Sequence, residues 1–420
     1  MPAVARRSVS AAVERGSQIA RRHRPDYLLL IVSLLLLAIG VIVVYAISPA
    51  LTVEKNVSGN YFVAHQLLAV ALGLVIFTVM SRVPYRYWRH AYMPLLAVAG
   101  AATLLALLMP VNAQYPAHRW IRLGGFSFQS VELLKFALLM WLAAFLAQRV
   151  QEDSLKDSRA TLRPLLIALA IVGFIVAGVQ SDLGSTGVVV VMMAFMAFLA
   201  GIPIKRVLQI AAIVIIGTVL AISAMPYRRD RLLTFLHPED KCLTTGYQAC
   251  QALIAVGSGG MIGLGLGRSV QAYGYLPEAE NDSIFAIYAE KFGFIGVTVL
   301  LGLFAVFFAR LRRIIERAPD DFSRLIVAGV LAWLSTQALI NVGAMIGLLP
   351  LKGITLPLVS YGGTSVLFVM AALGVVFQIS RYTHYVTPRI STVKGGDEYE
   401  SSRDRRRVGG AYNATPGSRT

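Results

Sequence analysis

The sequence predicts an all-α fold: a polytopic membrane protein with about ten transmembrane helices, both termini cytoplasmic, and a long extracytoplasmic loop between spans 7 and 8. Three observations predict it. The 420 residues are 56% hydrophobic and only 15% charged. The apolar residues gather in uninterrupted runs rather than at amphipathic spacing, which excludes a soluble globular fold. Most of the basic residues fall on alternate loops, the pattern of cytoplasmic segments in membrane proteins.

A bilayer core takes roughly 20 apolar residues of helix per crossing. Read against that length, spans fall near 27–47, 63–80, 92–108, 133–147, 165–179, 184–199, 207–224, 294–309, 325–346 and 365–379. Residues 1–24 form a basic N-terminal tail. It is polar and rich in arginine, and the run after Pro25 is too long for a cleavable signal segment, so the first span is expected to be an anchor. The membrane domain occupies 25–380. The basic tail 381–420 mixes Gly, Ser, Asp, Glu and Arg, is too poor in large apolar residues to bury a core, and is expected to be disordered in the cytoplasm.

The net charge of +17 raises the question of nucleic acid, and the positions of the charges answer it. With the N-terminus inside, Arg82, Arg86 and Arg89, then Arg149, Lys156 and Arg159, then Lys205 and Arg206, and then Arg310, Arg312, Arg313 and Arg317 all fall on inner segments. Basicity here reports topology and anionic lipid, with no nucleic-acid partner.

The outer segment from about 225 to 291 exceeds the other loops, and long loops within compact domains are usually functional. It contains Cys242 and Cys250, either a disulfide on the oxidising side or two unpaired thiols. It also contains a glycine-dense stretch, 257–267, too apolar for a solvated linker and without the strand and Gly-Lys-Ser/Thr context of a phosphate loop. A closely packed re-entrant or membrane-surface segment is expected there.

Four polar clusters stand at the outer edges of spans. The first joins His118, Arg119, Trp120 and Arg122 to Gln129, Ser130, Glu132 and Lys135. Glu132 and Lys135 share a helix face, so a purely structural ion pair is one reading. The second is Gln180, Ser181 and Asp182, where Asp182 serves either chemistry or as the cap of the sixth span. The third is Glu278, Glu280, Asn281 and Asp282 before an apolar helix, followed by Glu290 and Lys291. At this polar-to-apolar border Asp282 suits a general base, because partial desolvation raises its proton affinity, and it equally suits a helix cap. The fourth runs from Pro350 through Lys352, Gly353, Pro357, Ser360, Tyr361, Gly362 and Gly363. Its prolines and glycines forbid regular helix, and such backbone at membrane depth must be buried in protein or line a cavity. No His/Cys metal spacing, serine nucleophile elbow or Walker motif is present in the sequence.

Taken in order, Arg119–Trp120–Ile121, Gln129 with Glu132 and Lys135, Gln180–Ser181–Asp182–Leu183–Gly184–Ser185, Leu276–Pro277–Glu278 with Asn281–Asp282, and Ser360 to Ser365 resemble the SEDS family of FtsW, RodA and SpoVE. The stretch 352–357 is closer to the FtsW branch, since RodA usually lacks the lysine at the position of Lys352. The resemblance implies a peptidoglycan glycosyltransferase in the bacterial cytoplasmic membrane, polymerising lipid II as donor and acceptor with inversion. The family's essential aspartate matches Asp282, which would act as general base. Arg119, Trp120, Gln129, Glu132, Lys135, Asp182, Lys352, Ser360 and Tyr361 are the expected substrate-binding residues, with Arg268 a further cation for the leaving pyrophosphate. A divalent cation, magnesium or manganese, could share that role. The implied partner is a class B penicillin-binding protein, a transpeptidase, together with other division or elongation membrane proteins.

Three positions depart from the family pattern. Its usual Gln-Pro-Ser-Glu is Gln129–Ser130–Val131–Glu132 here, its Gln-Pro-Asp is Gln180–Ser181–Asp182, and its common His-Thr-Asp-Phe is Glu280–Asn281–Asp282–Ser283. Elongation in the manner of RodA, transport of a lipid-linked precursor, and a noncatalytic scaffold are the competing readings. A transporter site should lie near the membrane midplane rather than on one side.

Overall fold

The computed structural model describes residues 20–110, 118–123, 126–223, 235 and 241–384. Most of both expected tails, and most of 225–240, lie outside these described residues. Over its described residues, each of the ten apolar runs is helical or nearly so. In chain order the helices are α1 (Tyr27–Glu54), α2 (Tyr61–Met80), α3 (Trp88–Leu108), α4 (Ser130–Gln151), α5 (Ser158–Val179), α6 (Leu183–Ala200) and α7 (Ile204–Ser223). They continue with α8 (Tyr247–Ser258), α9 (Ile284–Arg317), α10 (Asp321–Met345) and α11 (Gly363–Ile379). Among the described residues, eight helices are long and apolar enough to cross a membrane, and α11 is a shorter apolar helix.

Two small ribbons qualify the all-α expectation. β1 (Ala20–Arg22) pairs antiparallel with β4 (Tyr382–His384), which sets the two ends of the membrane domain side by side. β2 (Trp120–Leu123) pairs with β3 (Phe126–Gln129), matching Trp120 to Gln129. The residues of β2 and β3 carry the aromatic and β-branched enrichment of short strands, a local signal masked by their polar neighbours.

Packing sorts the helices. In its most apolar window α4 is 89% buried, whereas α5 is 17% buried, so α4 is the axis of the bundle and α5 faces outward. α10 packs on α4, α6 and α9, while α11 lies against α2. Asp26 caps α1 through the Leu29 N–H at 3.1 Å and receives the Arg310 guanidinium at 2.5 Å, which fixes the start of α1 against α9. That charge is paired and capped, as burial at a helix end requires.

The eighth span corrects the sequence reading most. The span expected at 294–309 is only the second part of a longer helix: α9 begins at Ile284, directly after the Asp282 turn as the apolar helix there was expected to, and is broken at Gly293, where φ is 62° and ψ is −164°. The charges before the break are matched. The Glu290 carboxylate accepts the Val270 and Gln271 N–H groups at 2.8 and 3.0 Å and the Ser269 hydroxyl, and Lys291 Nζ donates to Leu266 O at 2.8 Å.

The glycine-dense stretch supplies the backbone groups that the break leaves open. Leu264 and Gly265 donate to Glu290 O and Lys291 O at 2.9 and 3.0 Å, while Phe294 and Ile295 donate to Gly260 O and Met261 O at 2.9 and 3.1 Å. This is close packing of non-helical backbone against protein, the condition for such backbone at membrane depth. Only glycine fits the crossing: a Cβ at Gly263, where φ is +82°, would stand 2.2 Å from Lys291 O.

Candidate active site

The turn from Leu276 to Ser283 delivers Asp282. Glu278 takes a left-handed φ of 51°, and its carbonyl accepts the Asn281 and Ser283 N–H groups at 3.0 and 3.1 Å. Ser283 is the N-cap of α9, but its hydroxyl donates to Pro277 O at 2.9 Å and makes no cap bond. Asp282 therefore does not cap α9, which removes that alternative for its carboxylate. From α10, Asn341 Nδ2 donates to Asp282 O at 2.7 Å and to Ile354 O at 2.6 Å, bracketing the aspartate backbone between the turn and the 350–362 loop.

Among the described residues no hydrogen-bond donor engages the Asp282 carboxylate. It lines a small pocket with Gln248, Asn341, Lys352 and Gly353. Dense packing pushes its carboxyl up to about 7, by desolvation first and then by the negative charge of Glu278, with Asp182 and Glu280 adding and Arg119 opposing. A carboxylate so placed is part ionised at neutral pH and able to accept a proton.

The first two clusters face the same point. Arg119 Nη1 stands 3.6 Å from Asp182 Oδ2. Asp182 is also the N-cap of α6, accepting the Ser185 N–H and hydroxyl at 2.9 Å each, so capping and ion pairing coexist there. Trp120 and Gln129 form the open end of the β2–β3 ribbon, whose last residue donates its N–H to Thr364 Oγ1 at 3.3 Å. Arg268, by contrast, is exposed on the loop after α8.

Glu132 and Lys135 lie deeper. Their ion pair measures 2.7 Å, both side chains are buried, and Lys135 Nζ sits 5.1 Å from the Trp333 ring centroid. Gln337 receives Trp333 Nε1 at 2.8 Å and donates to Thr355 O and Oγ1 at 3.1 Å each. The couple is a buried ion pair, with Lys135 held inside the protein by Glu132 and Gln337.

The sequence profile of the FTSW_RODA_SPOVE family, described as cell cycle protein, matches residues 26–385. The chain belongs to this family. It is 37% identical over 368 residues to stage V sporulation protein E of Bacillus subtilis, covering 87% of this chain and 99% of that one. It is also 37% identical over 366 residues to the probable peptidoglycan glycosyltransferase FtsW of Saccharophagus degradans, with coverages of 85% and 93%. Among solved structures it is similar to a chain from work described as structural coordination of polymerization and crosslinking by a peptidoglycan synthase complex, with a TM-score of 0.71 and 27% identity over 85% of this chain and 98% of that one. The rod shape determining protein RodA of Thermus thermophilus gives a TM-score of 0.61 at 26% identity, with coverages of 85% and 97%.

Three of the residues that depart from the FtsW/RodA/SpoVE pattern have a structural counterpart. Ser130, where the family usually has proline, accepts Gln180 Nε2 at 3.3 Å. Ser283, where the family commonly has phenylalanine, binds Pro277 O and receives Gln248 Nε2 at 3.2 Å. Glu280, at the usual histidine, is buried and pairs with Lys55 at the C-terminal end of α1. Ser360 and Tyr361 hold the same turn: the Ser360 hydroxyl donates to Asn281 O at 2.7 Å, and the Tyr361 N–H donates to Glu280 O at 2.8 Å.

Lys55, Gln248, Asn341 and Gln337 escaped the sequence reading, because each lies far from the motif it supports. Cys242 and Cys250 are joined by a disulfide that spans the start of α8, and Gln248 lies within that closed loop. Among the described residues no three His, Cys, Asp or Glu side chains cluster as ligands for a metal ion.

Proposed function

We propose that this chain is a peptidoglycan glycosyltransferase of the bacterial cytoplasmic membrane that polymerises lipid II into glycan strands at the outer face, in the FtsW-like role of septal synthesis. The observation that carries this reading is the Asp282 carboxylate, without a hydrogen-bond donor among the described residues, raised to about 7 and set beside Lys352 with Arg119 facing it. Relatives named FtsW at 37% identity support the division role, beside stage V sporulation protein E at the same identity.

The reaction needs one base and a stabilised leaving group. Asp282 takes the proton of the acceptor 4-hydroxyl as that oxygen attacks the anomeric carbon of the donor. The C1–O bond to pyrophosphate breaks on the opposite side, so configuration inverts and no covalent enzyme intermediate forms. The pyrophosphate leaves on its polyprenyl chain carrying the bond's electron pair, and Arg119 and Lys352 meet the developing negative charge. Lys135, held within its own ion pair, acts by supporting the 350–362 loop through Gln337 and Thr355.

A magnesium or manganese ion on the pyrophosphate would supply further charge neutralisation. The described side chains do not fit a protein-held metal centre, and no step runs through one.

The disulfide and the alternating basic loops support an extracytoplasmic position for the Asp282 side of the bundle. Similarity to a chain of a peptidoglycan synthase complex supports pairing with a class B penicillin-binding protein. The test is direct: purified chain with its cognate transpeptidase is given lipid II in detergent and in vesicles. Glycan polymer supports the reading, and transbilayer movement of lipid II without polymer replaces it with transport.

A further inference from the structure

The Asp282 turn has a second anchor besides Asn341. Glu280, two residues before Asp282, has a carboxylate that is 2% exposed and meets Lys55 Nζ. Lys55 is the C-cap of α1, its N–H donating to Leu51 O at 2.9 Å, and its ammonium lies 5.3 Å from the Phe62 ring at the start of α2. Phe62 in turn packs edge-on against Tyr361 with centroids 5.6 Å apart, and Tyr361 N–H holds Glu280 O. Three elements thus converge on one residue of the turn: the end of α1, the start of α2 and the loop before α11.

We propose that Lys55 is a positioning residue for the transferase reaction, fixing the 276–283 turn and hence the reach of Asp282 to the first span through its ion pair with Glu280. The proposal rests on the transferase reading given above. A buried carboxylate holds its place only while its charge is matched, so removing Lys55 forces the turn to open toward water or Glu280 to neutralise. Either outcome moves Asp282, and a displacement of about 1 Å in a reacting group can cost up to about 100-fold in rate.

The same pair shapes the field at Asp282. The charged and polar groups facing it are Glu278 and Glu280 from its own turn, Arg119 and Asp182 from the first two clusters, Lys352 from the 350–362 loop, and the neutral amides Asn341 and Gln248 from α10 and α8. Lys55 offsets Glu280. Without it, the uncompensated charge of Glu280 raises the proton affinity of Asp282, whereas loss of Glu280 lowers it.

The test compares Lys55→Met, Lys55→Arg, Glu280→Gln and the Lys55→Met/Glu280→Gln double variant. It measures lipid II turnover across pH and hydrogen exchange of a peptide spanning 276–285 in micelles. Lys55→Met should lower kcat on the order of 10-fold with KM changed less than about threefold, move the acid limb of the rate profile to higher pH, and speed exchange of the peptide on the order of 10-fold. Lys55→Arg should stay near wild type in all three, and the double variant should return the acid limb toward or below the wild-type position.

Wild-type kcat, acid limb and exchange in Lys55→Met would overturn the proposal. So would a lowered melting temperature in that variant with the acid limb and kcat unmoved. Should wild type make no polymer, the transferase reading fails, and the exchange comparison still decides whether Lys55 holds the turn.

Discussion

Asp282 Oδ2 lies 3.2 Å from the point where a side chain on Gly353 would begin, so the carboxylate and the Gly353 backbone share one wall of the pocket. Gly353 has a φ of +64°, a conformation that costs other L-residues roughly 1–2 kcal/mol. Gly353→Ala should keep the fold, lower kcat on the order of 10-fold by pressing on Asp282, and change lipid II binding little. Steady-state polymerisation with a fluorescent lipid II analogue checks the split between kcat and KM.

The pH dependence has a definite sign. A base must be ionised to act, so the polymerisation rate should rise with pH through about 7, the value to which burial and Glu278 push the Asp282 carboxyl. The linked effect on stability runs the other way. Between its ordinary range near 4 and about 7, the folded chain keeps a proton that the unfolded chain has lost, so this group makes stability fall as pH rises across that window. Asp282→Asn should therefore melt at a higher temperature than wild type at pH 8 and at nearly the same temperature at pH 4, as read by thermal unfolding in detergent.

The buried Glu132–Lys135 pair should show non-additivity. Lys135→Met leaves the Glu132 carboxylate buried without a cation, a change of roughly 3–5 kcal/mol in stability. Adding Glu132→Gln should recover most of that loss, because the buried charge is then gone. Thermal unfolding of the two single variants and the double variant measures the coupling.

Reduction or Cys242→Ser should act through Gln248. The disulfide closes a short loop at the start of α8, a constraint worth about 2 kcal/mol in the chain-entropy account. Its loss frees the segment whose Gln248 amide reaches Ser283 and Pro277 across the base of the Asp282 turn. Exchange of the peptide carrying 276–285 should quicken and turnover should fall several-fold, both recovering on reoxidation of the wild-type protein.

The fold was legible where its signal was contiguous. The apolar runs are helical over their described residues, because burial in lipid demands length and satisfied backbone whatever the packing partner. The break inside α9 was not legible: Glu290 and Lys291 are satisfied by backbone groups of Val270 and Leu266, some twenty residues earlier in the chain. At the site, Asp182 and Asp282 each read equally well as a cap or as chemistry, and three-dimensional partners separate them: Ser185 occupies the first, while no donor among the described residues occupies the second. Lys55 and Asn341 were illegible, since each supports the Asp282 turn from more than fifty residues away.

The rate of glycan formation by Asp282→Asn beside wild type, with lipid II and the cognate transpeptidase at pH 7.5, tests the role of Asp282 most directly. Asparagine keeps the shape and cannot accept the proton, so polymerisation should fall at least about 100-fold, the low end of what a positioned base contributes, while lipid II binding stays within a few-fold. Polymer formed by Asp282→Asn at the wild-type rate would contradict the assignment of Asp282 as the base.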